Sequence, residues 1–118
     1  MQTVEILENI VKTLDIKKAS DIKVLRITDL TSIADYFVIA SGTSSTHVKS
    51  LAEEVEDKLS ELGQEPKNIE GRATGWILLD YADVVCHVFT PDNRELFNLE
   101  KLWQDAEDVD VSAWITED

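Results

Sequence analysis

The residues with the clearest chemical potential form a polar loop, Ser41-Gly42-Thr43-Ser44-Ser45, between an apolar run and a helix-like apolar stripe. Backbone N–H groups at a helix N-terminus bind anions, so this loop is a candidate phosphate site. A Walker-type loop would need a lysine after its glycines, and this loop has a single glycine and no lysine. Alternatively, the hydroxyl side chains only cap the helix. The loop leaves both interpretations open.

Paired carboxylates are the second requirement of a nucleotidyl-transfer site, because they would hold magnesium near the loop. Asp108 and Asp110 have that spacing, but they lie in a stretch where acids are common. Asp80 and Asp83 flank a predicted turn, which favours aspartate for local reasons. The sequence therefore predicts no catalytic residue and no cofactor, and a nucleotide-dependent transferase using the Ser41–Ser45 loop remains the alternative function.

Cysteine and histidine offer little further chemistry. Cys86 and His87 are neighbours on a predicted strand, so their side chains point to opposite faces and cannot pair as nucleophile and base. Cys86 is predicted to be a core residue and His47 a surface residue. His87 shares a face with Trp76. It is either a core histidine with a hydrogen-bond partner or a catalytic residue. The spacing of these residues predicts no metal site.

Trp76 begins a strand whose opposite face already supplies Ile77 and Leu79 to a core. On its own face lie four further residues that alternate along two strands: Leu78, Val85, His87 and Phe89. If no helix covers this face, it is an apolar patch centred on tryptophan, which is typical of a protein-binding hot spot. If the first or last helix covers it, Trp76 is a core residue. Periodicity does not decide between the two.

Hydrophobic periodicity predicts the elements that position these residues. An apolar stripe runs through Val4, Leu7, Ile10, Val11 and Leu14, and a second one runs from Val48 to Leu62. Strands are predicted at 22–27, 36–40, 68–71, 76–79 and 84–89, with the strand at 68–71 on the sheet edge. A last helix starts at Pro91 and directs Leu96, Leu99, Leu102 or Trp103, and Ala106 inward. This order predicts an α/β fold, an αβα sandwich around a mixed β-sheet.

The two strongest strands, at 76–79 and 84–89, are predicted to form a hairpin. Centring the turn on Tyr81 and Ala82 would place Trp76 opposite His87, and Leu78 opposite Val85.

Composition limits the remaining possibilities. The chain has 118 residues, of which 43% are apolar and 30% charged, as expected of one globular domain. Its net charge is −13, which disfavours nucleic acid and anionic membranes and favours a basic partner. Of the 24 acids, 18 lie in residues 45–118. With one cysteine and no targeting segment, a cytoplasmic location is the simplest expectation.

Four stretches taken together resemble the ribosomal silencing factor family, also called RsfS or Iojap-related proteins. They are Ala34–Ser45, Pro66–Gly71, Gly75–Phe89 and Arg94–Trp103, in the family's order. With the opening helix, the resemblance covers about residues 2–105. It implies a nucleotidyltransferase-like fold without catalytic carboxylates. The chain is accordingly divided into a ribosome-binding domain at 1–107 and an acidic C-terminal tail at 108–118.

The resemblance also implies a function. Family members bind the large ribosomal subunit through its protein L-fourteen and sterically block joining of the small subunit, which represses translation when nutrients are short. Organellar relatives act in large-subunit biogenesis. The expected partner is therefore a ribosomal protein, with no direct binding of nucleic acid or membrane. For the free protein, a homodimer is an alternative to a monomer.

Carried onto this chain, the binding surface centres on Glu70, Trp76, Leu78 and Asp80, with His87 and Arg94 in supporting roles. The tryptophan and the leucine would be apolar anchors, and the two acids would face basic groups on the partner. Two departures from the family pattern matter. Phe97 replaces a usual tyrosine and removes a hydroxyl, and Ala82 replaces a common turn glycine. We therefore expect the hairpin to avoid a positive φ at Ala82.

Overall fold

A computed structural model describes residues 1–71 and 75–116. As far as α3 its elements follow the predicted order: α1 (Thr3–Ile16), β1 (Ser20–Arg26), β2 (Tyr36–Ser41), α2 (Ser45–Glu61), β3 (Asn68–Glu70), β4 (Trp76–Asp80), β5 (Val84–Phe89) and α3 (Pro91–Phe97). Three further elements were not predicted separately: α4 (Leu99–Leu102), β6 (Glu107–Asp108) and a 3-10 helix (Ser112–Trp114). The strands form one sheet in the order β3-β4-β5-β2-β1-β6. β2 and β5 pair in parallel, and the other described pairs are antiparallel. The predicted α/β class with a mixed sheet is confirmed.

The first face of the sheet is covered by α1 and α2. The predicted stripe of α1 is buried from Leu7 to Leu14, and α2 buries its own stripe from Val48 to Leu59. The prediction is wrong at one end of each stripe, because Val4 is 53% exposed and Leu62 is 45% exposed. Val4 lies in the first turn of α1, and Leu62 is the residue that follows the last turn of α2.

The second face has a smaller core and shorter helices. Its buried residues come from the strands and the β1–β2 connection: Leu25, Ile27, Ala34, Phe37, Ile39, Val85 and Phe89. Leu99, Trp103 and Ala106 pack against them. The prediction of one continuous last helix is wrong, since Asn98 takes a left-handed conformation (φ 44°) that ends α3, and its side chain caps α4. Leu96 is 74% exposed, contrary to the prediction, whereas of the alternatives Leu102 and Trp103 it is Trp103 that packs inward.

The β4–β5 hairpin forms, but the predicted register is wrong by two residues. Trp76 pairs with Phe89, and Leu78 pairs with His87. The turn is centred on Ala82 and Asp83, with Tyr81 N–H donating to the Val84 carbonyl at 2.9 Å. Ala82 has φ 68°, contrary to expectation. Its N–H donates to Asp80 Oδ1 at 2.8 Å, which helps to hold this conformation. A shift of two residues keeps every side chain on its predicted face.

The segment predicted to be an acidic tail, 108–118, contacts the rest of the chain as far as residue 116. Asp108 pairs with Leu25 in the sheet, and Val109 N–H donates to the Val24 carbonyl at 2.9 Å. Val111 is buried in the first core, which lies between the sheet and helices α1 and α2, and Trp114 packs against the same core. In the described part of the chain, no helix has the length and apolar character to cross a bilayer.

Candidate partner-binding site

The four central residues predicted for partner binding lie on one face of β3 and β4, the two strands at one edge of the sheet. Glu70 pairs with Leu78 across β3 and β4, so these side chains share a face. Trp76 and Asp80 flank Leu78 at positions of the same parity and therefore share it too. Glu70 is exposed, whereas the other three are half-buried. Glu70, Gly71, Trp76 and Leu78 line a shallow depression of about 230 Å³. The structure thus brings these four residues together.

Trp76 is neither fully covered nor isolated. Its ring centroid lies 5.1 Å from that of Phe89 beneath it and 4.6 Å from that of Phe97 at the end of α3. Its indole Nε1–H donates a hydrogen bond to His87 Nδ1 at 3.1 Å. The end of α3 therefore covers part of the indole, and the rest faces the depression. Trp76 is therefore partly covered, which lies between the two alternatives left open by the sequence, an uncovered patch and a core residue.

His87 lies beneath the surface and is only 4% exposed. Phe37 approaches its ring edge-on at a centroid distance of 4.8 Å, and Phe89 stacks with it at 6.2 Å. Burial lowers the pKa of His87 to about 4, so the ring is neutral at physiological pH. Of the two interpretations, the geometry matches the hydrogen-bonded core histidine. His87 can influence a partner only through the residues above it.

Arg94 is engaged within the fold. Its side chain is 13% exposed, and its Nε donates to Glu100 Oε1 at 2.8 Å. Its Nη1 donates to Ser41 Oγ at 2.9 Å. The hydrogen bond from Arg94 lowers the pKa of the Glu100 carboxyl, and the charge of the guanidinium acts in the same direction. These contacts join α3 to α4 and to the end of β2. The structure therefore does not bring Arg94 into the group around Trp76.

The Ser41–Ser45 loop uses its polar groups internally. Ser44 Oγ accepts from His47 N–H at 3.1 Å, as expected of an N-cap. Thr43 N–H donates to His47 Nδ1 at 2.9 Å, and His47 Nε2 bonds the Lys17 carbonyl at 3.0 Å. His47, predicted at the surface, is half-buried and joins the loop to α1. This geometry favours the capping interpretation of the loop over an anion site.

The other candidates for chemistry are structural or dispersed. Cys86 is fully buried, as predicted, and burial raises the pKa of its thiol to about 12. Within residues 1–71 and 75–116, no three His, Cys, Asp or Glu side chains are arranged to hold a metal ion. Phe97 is the site residue that sequence reasoning missed, since it was considered only for its lost hydroxyl. Its contact with Trp76 joins the end of α3 to β4, and periodicity within one helix does not predict a contact with a distant strand.

Comparisons with known proteins identify the family. A family model described as "Ribosomal silencing factor during starvation" matches residues 1–118. The chain is 39% identical over 117 residues to the Ribosomal silencing factor RsfS of Halalkalibacterium halodurans, covering 98% of this chain and 100% of that protein. It is 34% identical over 101 residues to a mouse protein named Mitochondrial assembly of ribosomal large subunit protein 1, covering 82% of this chain and 44% of that protein. A crystal structure of a Chromobacterium violaceum protein superposes with a TM-score of 0.85 at 36% identity, covering 88% of both chains. The chain belongs to the ribosomal silencing factor family, RsfS.

Proposed function

We propose that this protein associates with the large ribosomal subunit in the cytoplasm, silences translation and contributes to subunit assembly. At finer detail, it binds the ribosomal protein L-fourteen and thereby sterically prevents joining of the small subunit. The names of the relatives support ribosomal silencing and large-subunit assembly. The observation that carries the finer proposal is the shared face of Glu70, Trp76, Leu78 and Asp80 at the β3–β4 edge of the sheet.

The apolar part of this face has the composition of a binding hot spot. Trp76 and Leu78 are half-buried side by side on β4, and both line the depression next to Gly71. A tryptophan that is already packed on one side loses little conformational freedom when a partner covers the other side. Such anchors carry most of the energy of many protein interfaces. Trp76 and Leu78 therefore supply the affinity in this proposal.

The acidic part of the face selects the partner. Glu70 is exposed beside Leu78, and Asp80 lies at the other end of β4. Asp80 uses Oδ1 to accept from Ala82 N–H, which orients the carboxylate. A net charge of −13 repels the phosphate backbone of ribosomal RNA and attracts basic ribosomal proteins. The charges thus fit a protein partner on the ribosome.

Sedimentation with purified large subunits tests the proposal. Trp76→Ala should weaken binding by about 30-fold or more, as expected of a central anchor. The matched control is Trp114→Ala, because Trp114 is also half-buried but packs against the first core, on the other side of the sheet. Thermal melts of both variants establish that they are folded. Equal binding by the folded Trp76→Ala variant and the wild type would refute the proposed surface.

A charge-reversal pair tests the acidic contribution without removing any packing. Glu70→Arg should weaken binding to large subunits and to purified L-fourteen by about tenfold. Glu53→Arg, which changes an exposed residue of α2 on the opposite side, should leave binding unchanged. In a mixture of both subunits, the wild type should reduce the fraction of joined ribosomes, and Glu70→Arg should do so less. Wild-type protein that binds large subunits without reducing joining would refute the steric mechanism.

A further inference from the structure

The indole of Trp76 makes a directional contact with a residue that no partner can reach. Its Nε1–H donates to His87 Nδ1 at 3.1 Å, and His87 is 4% exposed. The sheet register produces this contact, because His87 lies opposite Leu78 and therefore diagonal to Trp76. Diagonal neighbours on one face of an antiparallel pair are within reach of aromatic side chains. The buried histidine thus contacts the anchor from inside the sheet.

The aromatic contacts of Trp76 do not by themselves define the orientation of its indole. The rings of Phe89 and Phe97 approach it at 5.1 Å and 4.6 Å, and stacking tolerates rotation and sliding of the rings. A hydrogen bond from Nε1–H is directional and weakens steeply away from linearity. Of the contacts described for this side chain, the one with His87 Nδ1 specifies which edge of the indole points inward.

The protonation of His87 suits this role. Since Nδ1 accepts from the indole, the ring proton must lie on Nε2 in the neutral form. Nε2 is buried and has no hydrogen-bond partner among the described atoms. An additional proton on Nδ1 would remove the acceptor, and burial keeps the pKa of the ring near 4. His87 therefore remains an acceptor throughout the physiological pH range.

We infer that His87 is a positioning residue, whose Nδ1 fixes the indole of Trp76 so that its outer edge and Leu78 form one preformed docking surface. This inference rests on the proposed function in assigning the docking surface to a ribosomal partner. The positioning itself is a property of the free protein. Preorganisation reduces the conformational cost of binding, so the contribution of His87 appears in affinity although it touches no partner.

Indole N–H resonances of the free protein test the positioning directly. The chain has three tryptophans, and Trp76→Phe identifies the Trp76 signal by its disappearance. His87→Leu removes the acceptor, so the Trp76 indole proton should exchange with water about fivefold faster. In His87→Asn the side-chain oxygen is an acceptor bonded to Cγ, the same position that Nδ1 has in histidine. This variant should therefore restore slow exchange of the Trp76 indole proton. Equal exchange in His87→Leu and the wild type, or no rescue by His87→Asn, would overturn the inference whether or not the protein binds ribosomes.

Binding to purified large subunits tests the consequence. His87→Leu should weaken binding by about two- to tenfold, the value of one neutral hydrogen bond. Trp76→Phe should weaken it at least as much, because it removes the same hydrogen bond and also reduces the apolar surface of the anchor. The double variant should bind no more weakly than Trp76→Phe alone, because that variant has already lost the hydrogen bond that His87→Leu removes. His87→Asn should bind within about twofold of the wild type. Fully additive losses would overturn the inference, whereas absence of binding by the wild type would refute the proposed function instead.

Discussion

Acidification from about pH 7.5 to pH 5 should destabilise the fold through His87. The folded-state pKa of this ring is lowered by burial to about 4, from an ordinary value of 6.5. Well above pH 6.5 both the folded and the unfolded chain carry a neutral ring, so the stability is fully present. As the pH falls, the unfolded chain binds a proton before the folded one does. The free energy of unfolding therefore decreases from about pH 6.5 and levels off near pH 4.

The size of this effect follows from the shift of the pKa. Each pKa unit corresponds to about 1.4 kcal/mol, so the full loss is about 3 kcal/mol. About 2 kcal/mol of it should already be lost at pH 5. The aromatic side chains that pack against the ring, Trp76, Phe37 and Phe89, carry no charge to compensate for a proton. The lowered pKa of the Glu100 carboxyl acts mainly below its ordinary value of 4.5, outside this window.

Urea unfolding at a series of pH values between about 7.5 and 5 measures the effect. The matched control is His87→Asn, which retains a hydrogen-bond acceptor but does not titrate. This variant should be less stable than the wild type at pH 7.5, because it leaves a cavity, but its stability should depend less steeply on pH. If the wild type and His87→Asn lost the same free energy between these pH values, the assignment of the loss to His87 would be refuted.

Two further predictions concern residues that organise the site from a distance. Arg94→Met should lower the free energy of unfolding by about 1–3 kcal/mol in urea titrations, because it removes the hydrogen bonds to Glu100 and Ser41. The exposed control Lys12→Met should change it by less than about 0.5 kcal/mol, and equal effects would contradict the interior role of Arg94. Ala82→Gly should raise the melting temperature, since glycine relieves a φ of 68° at a net gain of about 0.5 kcal/mol. A lower melting temperature would show that the alanine side chain contributes packing that outweighs the strain.

Sequence reasoning predicted the faces of the strands better than their register. Alternation assigns Trp76, Leu78 and His87 to one face, and this assignment survives any register shift of two residues. The register itself depends on the turn, where Ala82 takes a left-handed conformation that its residue type disfavours. A local hydrogen bond to Asp80 favours that conformation, and residue propensities do not include it.

In the candidate site, too, some features were predicted from the sequence and others were not. Resemblance to the family named Glu70, Trp76, Leu78 and Asp80, and the structure brings them together on one face. The depth of His87 was not predictable, because alternation distinguishes the two faces of a strand and not a covered position from an open one. His87 is covered by side chains from other elements of the chain, and periodicity within one segment does not predict contacts between elements.

The parallel pairing of β2 with β5 has a consequence for the order in which the molecule assembles. These central strands are separated in the chain by α2, β3 and β4, so their pairing must close a long loop. The β1–β2 and β4–β5 pairs join strands that are consecutive in sequence, and such local contacts form faster. Trp76 and His87 both belong to the β4–β5 hairpin. Their mutual arrangement therefore depends first on a local folding unit, whereas the packing of Phe37 against His87 requires the later β2–β5 pairing.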